Sequence, residues 1–137
     1  MKNMGRVVRT PKVGMMAEKN ILIVDDSKIT RSMAVFSLRN QGFRVLEAAG
    51  AAEALELMHR EAVDMVITDL RMPDMDGVGL TRKIRSAEVQ NDVPIIMITG
   101  ADHEETRDEA FEAGVSSYLA KPFKPHQLLD LVRSVLC

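Results

Sequence analysis

The stretch MVITDLRMPDMDG, residues 65–77, is an apolar run of strand type that ends on a carboxylate, Asp69. A turn-rich segment follows, in which Pro73 and the Asp76-Gly77 pair break regular structure, and a helical pattern resumes after it. A strand, a carboxylate, a loop and a helix in this order are typical of parallel α/β sheets, where ligands bind at the carboxyl ends of the strands. Asp69 therefore lies where a reacting group is expected, although an aspartate after a strand can also be a simple turn residue.

The alternation of strand-type and helix-type patterns continues along the chain. Five short apolar runs predict strands, at residues 21–24, 43–48, 65–68, 95–98 and 117–120. An amphipathic segment follows each run, and these segments predict five helices. Strands that alternate with helices specify a parallel sheet with helices on both faces, and five strands suit the order 2-1-3-4-5. We therefore predict an α/β, flavodoxin-like (βα)5 fold, a three-layer sandwich around one five-stranded parallel sheet.

The first helix carries clear local signals. Ser27 is predicted to cap its amino terminus, and Gly42 is predicted to end it. Ile29, Met33 and Phe36 recur at helical spacing, so we predict that they form the buried stripe of this helix.

Composition and charge exclude several classes of protein. With 137 residues, of which 46% are hydrophobic and 28% are charged, the chain suits one domain of ordinary size. The net charge of −2 argues against direct contact with nucleic acid. No apolar window is long enough to span a bilayer, so membrane insertion is not expected. The single cysteine, Cys137, allows no intrachain disulfide and fits a reducing, cytoplasmic location.

The amino-terminal segment differs from the rest of the chain. Residues 1–19 carry five basic side chains against one acidic side chain and show no clear periodicity. We interpret them as a flexible basic extension that precedes a domain at residues 20–137. A basic arm for an acidic partner is one explanation, but a dispensable extension is favoured, with Met15 or Met16 as the natural start.

Four neighbouring strands of the predicted sheet deliver polar side chains to one edge. These side chains are Asp25 and Asp26, Asp69, Thr99 and Lys121. Two carboxylates about 4 Å apart repel each other by roughly 4 kcal/mol at an effective dielectric near 20, so the site must bind protons or a cation. Oxygen ligands suit Mg²⁺, and the cysteine and histidine ligands of a zinc site are absent from these positions.

This set of side chains suits phosphoryl transfer. A carboxylate beside Mg²⁺ can act as a nucleophile and form an aspartyl phosphate. Lys121 can pair with one phosphoryl oxygen, and the Thr99 hydroxyl can donate to another. Nucleophile, metal, lysine and hydroxyl are together the parts that this reaction needs.

Over residues 20–137 the sequence resembles a response-regulator receiver domain of two-component signalling. The resemblance rests on four motifs: IVDDS at 23–27, DLRMPDMDG at 69–77, TG at 99–100 and YLAKP at 118–122. Each motif lies at the end of a predicted strand, where the receiver family carries its site residues. Within this family, the sequence resembles the stand-alone, single-domain regulators of the chemotaxis type.

The resemblance assigns the metal site and the acceptor to individual residues. It implies that Asp69 is the phosphoacceptor and also belongs to the Mg²⁺ site. It further implies that Asp26 binds Mg²⁺ directly and that Asp25 acts largely through water. The backbone carbonyl of Arg71 corresponds to a further metal ligand.

The resemblance also assigns residues around the phosphoryl group. It implies that Thr99 and Lys121 contact that group and that Tyr118 turns inward as an aromatic switch when Thr99 moves. A plain strand aromatic is the alternative for Tyr118. The Lys121-Pro122 peptide bond is cis by the resemblance, whereas trans is the general expectation for such a bond.

The function that the resemblance implies is that of a stand-alone phosphorylation switch, and not of an enzyme with a separate substrate. The chain ends with its fifth helix, so we expect no attached output domain. A histidine kinase or a histidine phosphotransfer protein would donate the phosphoryl group, and the protein would assist its own phosphorylation and dephosphorylation. A separate output protein would contact the face formed by helix 4, strand 5 and helix 5. The protein would be a monomer or a weak dimer.

Three other functions remain open at this point. A phosphatase of the haloacid dehalogenase type needs Asp-x-Asp after the first strand, whereas Asp25 and Asp26 are adjacent. A flavodoxin-like FMN binder needs hydroxyls in that loop, and two carboxylates would repel its phosphate. A degenerate receiver that serves only as a scaffold is the third, and the intact acidic motifs argue against it.

Overall fold

The computed structural model describes residues 19–100 and 104–136, and strands and helices alternate along them. The strands are β1 (Asn20–Val24), β2 (Arg44–Ala48), β3 (Met65–Asp69), β4 (Ile95–Thr99) and β5 (Ser117–Ala120). The helices are α1 (Lys28–Asn40), α2 (Ala51–Arg60), α3 (Gly77–Arg85), α4 (Glu104–Ala113) and α5 (Pro125–Leu136). The predicted alternation is confirmed, and every predicted strand lies within one residue of its observed bounds.

The predicted basic extension, apart from Lys19, lies outside the described residues, as does Cys137. Within residues 19–100 and 104–136, no helix is both long enough and apolar enough to cross a bilayer.

The described strands form one parallel sheet in the order β2-β1-β3-β4-β5. This is the predicted order 2-1-3-4-5, and it brings the carboxyl ends of β1, β3, β4 and β5 to one edge. The register aligns those ends closely, because Asp69 lies opposite Ile98 and Thr99 lies opposite Ala120. Lys121 follows Ala120 directly, so it leaves the sheet at the same edge.

Two hydrophobic cores lie on opposite faces of the sheet. Helices α2, α3 and α4 cover one face, and α1 and α5 cover the other. In β1, Leu22 and Val24 belong to the first core and Ile21 and Ile23 to the second, and none of the four is more than 3% exposed. A strand buried on both faces is apolar at successive positions, which explains the continuous apolar runs in the sequence. The predicted three-layer sandwich is confirmed.

Both predicted ends of α1 are confirmed. The Ser27 side chain is the N-cap and accepts a hydrogen bond from the backbone N–H of Thr30. Gly42 follows the helix with a φ of 94°, in the left-handed region that favours glycine.

The predicted buried stripe of α1 is wrong. Ile29, Met33 and Phe36 are 77%, 64% and 69% exposed. The face that the helix buries instead consists of Ala34, Val35 and Leu38. These residues share a core with Leu128 and Val132 of α5. The helix is apolar on two faces, and helical periodicity cannot distinguish the face that packs against the sheet and α5 from the face that is exposed to solvent.

Candidate functional site

Carboxylates from two neighbouring strands meet at the carboxyl edge of the sheet. Asp25 and Asp26 follow β1, and Asp69 is the last residue of β3. One oxygen from each of these three carboxylates lies within 4.8 Å of the others. Asp25 is buried, Asp69 is partly buried and Asp26 is exposed. The predicted acidic cluster is therefore present, and Asp26 is its solvent-facing member.

Asp69 is held at both of its carboxylate oxygens. Its Oδ2 lies 3.1 Å from Nζ of Lys121, and its Oδ1 accepts a hydrogen bond of 2.8 Å from the backbone N–H of Leu70. Lys121 is itself anchored, because its backbone N–H donates to the Thr99 carbonyl at 2.9 Å. The pairing of β4 with β5 thus brings the predicted lysine to the predicted acceptor. The Lys121-Pro122 peptide bond is cis, as the family resemblance implied.

Asp25 is the buried carboxylate of the cluster. Burial raises the pKa of Asp25 above its ordinary value, and the charges of Asp69 and Asp26 raise it further. The backbone N–H of Ser27, which donates to Asp25 Oδ1 at 2.9 Å, and the charge of Lys121 act in the opposite direction. The net result is a carboxylate whose ionised form is disfavoured in the folded protein.

Arg31 is a second cation at the site, and the sequence did not predict it. Its Nη1 donates a hydrogen bond to the backbone carbonyl of Asp25. Its Nε donates to Oε1 of Glu47 on β2 at 3.0 Å, and the Arg31 side chain is only 14% exposed. The guanidinium therefore fixes the loop that carries the first two carboxylates. No local sequence signal identifies this contact, because Arg31 and Glu47 lie 16 residues apart.

Thr99 and Tyr118 lie on the same face of the sheet. Thr99 pairs with Ala120 and Met97 pairs with Tyr118, and side chains alternate between the two faces along a strand. Both side chains therefore project toward the face that α2, α3 and α4 cover. Thr99 is 1% exposed and lies one residue beyond Ile98, the register partner of Asp69.

Tyr118 contacts two side chains of α4 that the sequence did not predict. Its ring centroid lies 6.4 Å from that of Phe111, with the planes tilted by 35°. The guanidinium carbon of Arg107 lies 5.4 Å from the Tyr118 ring centroid, within the range of a cation–π interaction. The candidate switch residue is thus coupled directly to α4.

The loop between β3 and α3 carries Arg71, whose side chain is exposed. The backbone N–H of Gly77 donates to the Leu70 carbonyl at 2.7 Å and closes this loop. Asp76 caps α3, because its Oδ1 accepts a hydrogen bond of 2.8 Å from the N–H of Gly79. The backbone at Arg71 therefore belongs to a loop with both ends fixed.

The side chains of the cluster fit a hard divalent cation. Three carboxylates converge, and Lys121 pairs with Asp69, so negative charge remains in excess. Carboxylate and carbonyl oxygens are the ligands that Mg²⁺ prefers. A bound cation would also stabilise ionised Asp25 against the burial and the repulsion that raise its pKa.

Comparison with known protein families and relatives gives a consistent result. The profile of the response regulator receiver domain family matches residues 21–133. A 14.6 kDa protein from the sodA1 3′ region of Leptolyngbya boryana is 37% identical over 118 residues, which cover 86% of this chain and 90% of that protein. Other curated relatives are named as transcriptional regulators, and the chain spans about half of their length, between 46% and 53%.

Solved structures of similar proteins support the same assignment. The chemotaxis response regulator CheY4 of Vibrio cholerae superposes with a TM-score of 0.81 at 32% identity, over 85% of this chain and 98% of that one. The receiver domain of the sensor histidine kinase PA1611 of Pseudomonas aeruginosa gives a TM-score of 0.79 at 33% identity, over 86% and 97% of the two chains. That receiver domain holds a magnesium ion in its active site cleft.

The raised pKa of Asp25 makes a prediction for stability. Ionised Asp25 destabilises the folded state at neutral pH, so Asp25→Asn should raise the melting temperature of metal-free protein by about 2–5 °C. The gain should disappear as the pH falls below about 3.9, because both the folded and the unfolded protein are then protonated. Thermal unfolding of the variant and the wild type at several pH values measures this difference in melting temperature. Asp130→Asn, at an exposed carboxylate of α5, is the control and should change little. If Asp25→Asn is less stable than the wild type at neutral pH, ionised Asp25 does not destabilise the folded state.

Proposed function

This chain belongs to the response regulator receiver domain family, and we propose that Asp69 is the residue on which it accepts a phosphoryl group. The observation that carries the proposal is the arrangement around Asp69. Its carboxylate closes a cluster with Asp25 and Asp26, and its Oδ2 pairs with Lys121 at 3.1 Å. The family is one of phosphoacceptor signalling switches, and this arrangement supplies a nucleophile and a cation for that chemistry.

The transfer forms one bond and breaks one bond. An Asp69 carboxylate oxygen attacks phosphorus, and the bond from phosphorus to the donor histidine nitrogen breaks, so the imidazole leaves with the electron pair. Lys121 balances charge on the phosphoryl oxygens, and the Thr99 hydroxyl donates a hydrogen bond to one of them. Hydrolysis of the acyl phosphate by water restores Asp69, so the protein assists both its own phosphorylation and its own dephosphorylation.

The proposal includes Mg²⁺ at the acidic cluster. Asp25, Asp26, Asp69 and the backbone carbonyl of Arg71 would hold it. When bound, the ion supplies positive charge that stabilises the transferring phosphoryl group. Support comes from the oxygen-only set of ligands in this chain and from the magnesium ion in the receiver domain of PA1611.

The phosphoryl donor in this proposal is a histidine kinase or a histidine phosphotransfer protein of the cytoplasm. We expect it to contact the apolar surface of α1, formed by Ile29, Met33 and Phe36, which are among the exposed large apolar side chains of the described residues. A groove between α1 and α5 joins this surface to the site, because Met33 and Lys121 both line it, together with Phe123. A donor that covered this surface would therefore lie next to Lys121, the ion-pair partner of Asp69.

The signal in this proposal leaves the site through Thr99 and Tyr118. A phosphoryl group adds negative charge and acceptor oxygens at Asp69, toward which the Thr99 hydroxyl can turn. Tyr118 lies on the same face and contacts Arg107 on α4. Phosphorylation would thus bias the surface formed by α4, β5 and α5, where a separate output protein binds, without direct contact with nucleic acid. We expect the protein to be a monomer or a weak dimer.

The acceptor is tested by mass spectrometry after incubation with a small acyl phosphate and Mg²⁺. The wild type should gain one phosphoryl group, because Asp69 is the carboxylate that pairs with Lys121. Asp69→Ala should gain none, whereas Asp130→Asn, at an exposed carboxylate of α5 outside the cluster, should be labelled like the wild type. Undiminished labelling of Asp69→Ala would show that another residue is the acceptor.

The donor surface is tested with Phe36→Ser and Met33→Ser. Because these side chains are 69% and 64% exposed, the variants should change the free energy of unfolding by no more than about 0.5 kcal/mol. Labelling by a small acyl phosphate should stay unchanged, while transfer from a phosphorylated histidine protein should slow by about tenfold or more, since central apolar contacts dominate such interfaces. Equal rates of transfer to the variants and the wild type would place the donor on another surface.

A further inference from the structure

The amino terminus of α2 has no cap from its own segment. Gly50 occupies the N-cap position and offers no side chain that could accept the free N–H groups of the first turn. Asp74, in the loop after β3, supplies the acceptor instead. Its Oδ1 accepts the N–H of Ala51 at 3.2 Å, and its Oδ2 accepts the N–H of Ala52 at 2.9 Å. One carboxylate therefore caps a helix of a different segment.

Gly50 is required for this contact. A Cβ atom at residue 50 would lie 2.9 Å from Oδ1 of Asp74 and 3.3 Å from its Cγ, so any larger residue would displace the carboxylate. The two backbone hydrogen bonds, from Ala52 and Ala51, lower the pKa of Asp74 below its ordinary value, because both stabilise the carboxylate form. The contact between the loop and α2 therefore needs both glycine at residue 50 and a carboxylate at residue 74.

The loop that Asp74 anchors is the one that leaves Asp69. At its start, the N–H of Leu70 donates to the Ile98 carbonyl at 3.1 Å. At its end, the N–H of Gly77 donates a hydrogen bond of 2.7 Å to the Leu70 carbonyl. Between the anchors at Leu70 and Asp74 only residues 71–73 remain, so the position of their backbone depends on the contact between Asp74 and α2.

We propose that Asp74 is a positioning residue of the metal site. By binding the amino terminus of α2, it holds the loop that presents the Arg71 carbonyl beside Asp25, Asp26 and Asp69. The inference rests on the proposed function, because the Arg71 carbonyl is a ligand only if the cluster binds Mg²⁺. Residues that orient metal ligands without touching the metal typically change its affinity by about 10–100-fold.

The test is a calorimetric titration of the unphosphorylated 137-residue chain with Mg²⁺. Asp74→Ala should weaken binding about tenfold or more, because the loop loses its anchor on α2. Asp74→Asn keeps one acceptor oxygen and should lose less. Gly50→Ala should also weaken binding, although it removes no charge, because its Cβ displaces the Asp74 carboxylate. This variant separates loop positioning from the simple loss of a negative charge.

Gln90→Ala is the matched structural control. Its side chain accepts the N–H of Val63 at 2.7 Å and donates to the Met58 carbonyl at 2.8 Å, at the amino edge of the sheet and away from the cluster. This variant should lower the melting temperature and leave Mg²⁺ affinity unchanged.

Three outcomes would overturn the inference. If Asp74→Ala and Gly50→Ala bind Mg²⁺ as tightly as the wild type, Asp74 does not position the site, and the proposed function still stands. If Gln90→Ala weakens binding equally, the effect is general destabilisation and the positioning role is wrong. If the wild type itself binds no Mg²⁺, the inference and the proposed metal site both fail.

Discussion

Electrostatic repulsion among Asp25, Asp26 and Asp69 is the constraint on which the rest of the site depends. Each pair of carboxylates at about 4 Å would repel by roughly 4 kcal/mol at an effective dielectric near 20, and here their oxygens lie within 4.8 Å of one another. Lys121 pairs with Asp69, and the raised pKa of Asp25 reflects burial and then repulsion, which the hydrogen bond from Ser27 and the charge of Lys121 do not offset. A phosphoryl group is itself anionic, so the same excess charge explains why the proposed transfer needs a cation.

The sheet can hold these charges together because the strands that carry them are buried on both faces. Leu22, Ile67 and Ile96 on β1, β3 and β4 are at most 1% exposed, and burial of each such side chain stabilises the fold by about 1.5–3 kcal/mol. A few of them therefore offset the repulsion at the edge. In the proposed switch, a charge added at Asp69 would therefore turn the buried Thr99 side chain, while the buried strands would keep their places.

The sequence was sufficient to predict what depends on strand order, and insufficient for what depends on contacts between helices and loops. Asp69 and Lys121 were predicted to meet because parallel strands bring their carboxyl ends to one edge. The hydrogen bonds from Arg31 to Glu47 and from α2 to Asp74 are not predicted, since they join a helix to a strand or a loop whose relative placement does not follow from strand order. The prediction for the buried face of α1 is wrong because that helix is apolar on two faces, and its packing against the sheet and α5 decides which one is covered.

The most direct test of this account is the stability of wild type and Asp26→Ala, measured by thermal unfolding at neutral pH as Mg²⁺ is increased. If carboxylate repulsion governs the site, Asp26→Ala should be the more stable protein without Mg²⁺, because one of three repelling charges is gone. The wild type should then gain about 2.7 kcal/mol when Mg²⁺ reaches a hundredfold excess over its Kd, and the variant should gain much less over the same range. If Asp26→Ala is no more stable than the wild type without Mg²⁺, and gains as much stability as the wild type when Mg²⁺ is added, carboxylate repulsion does not govern the site.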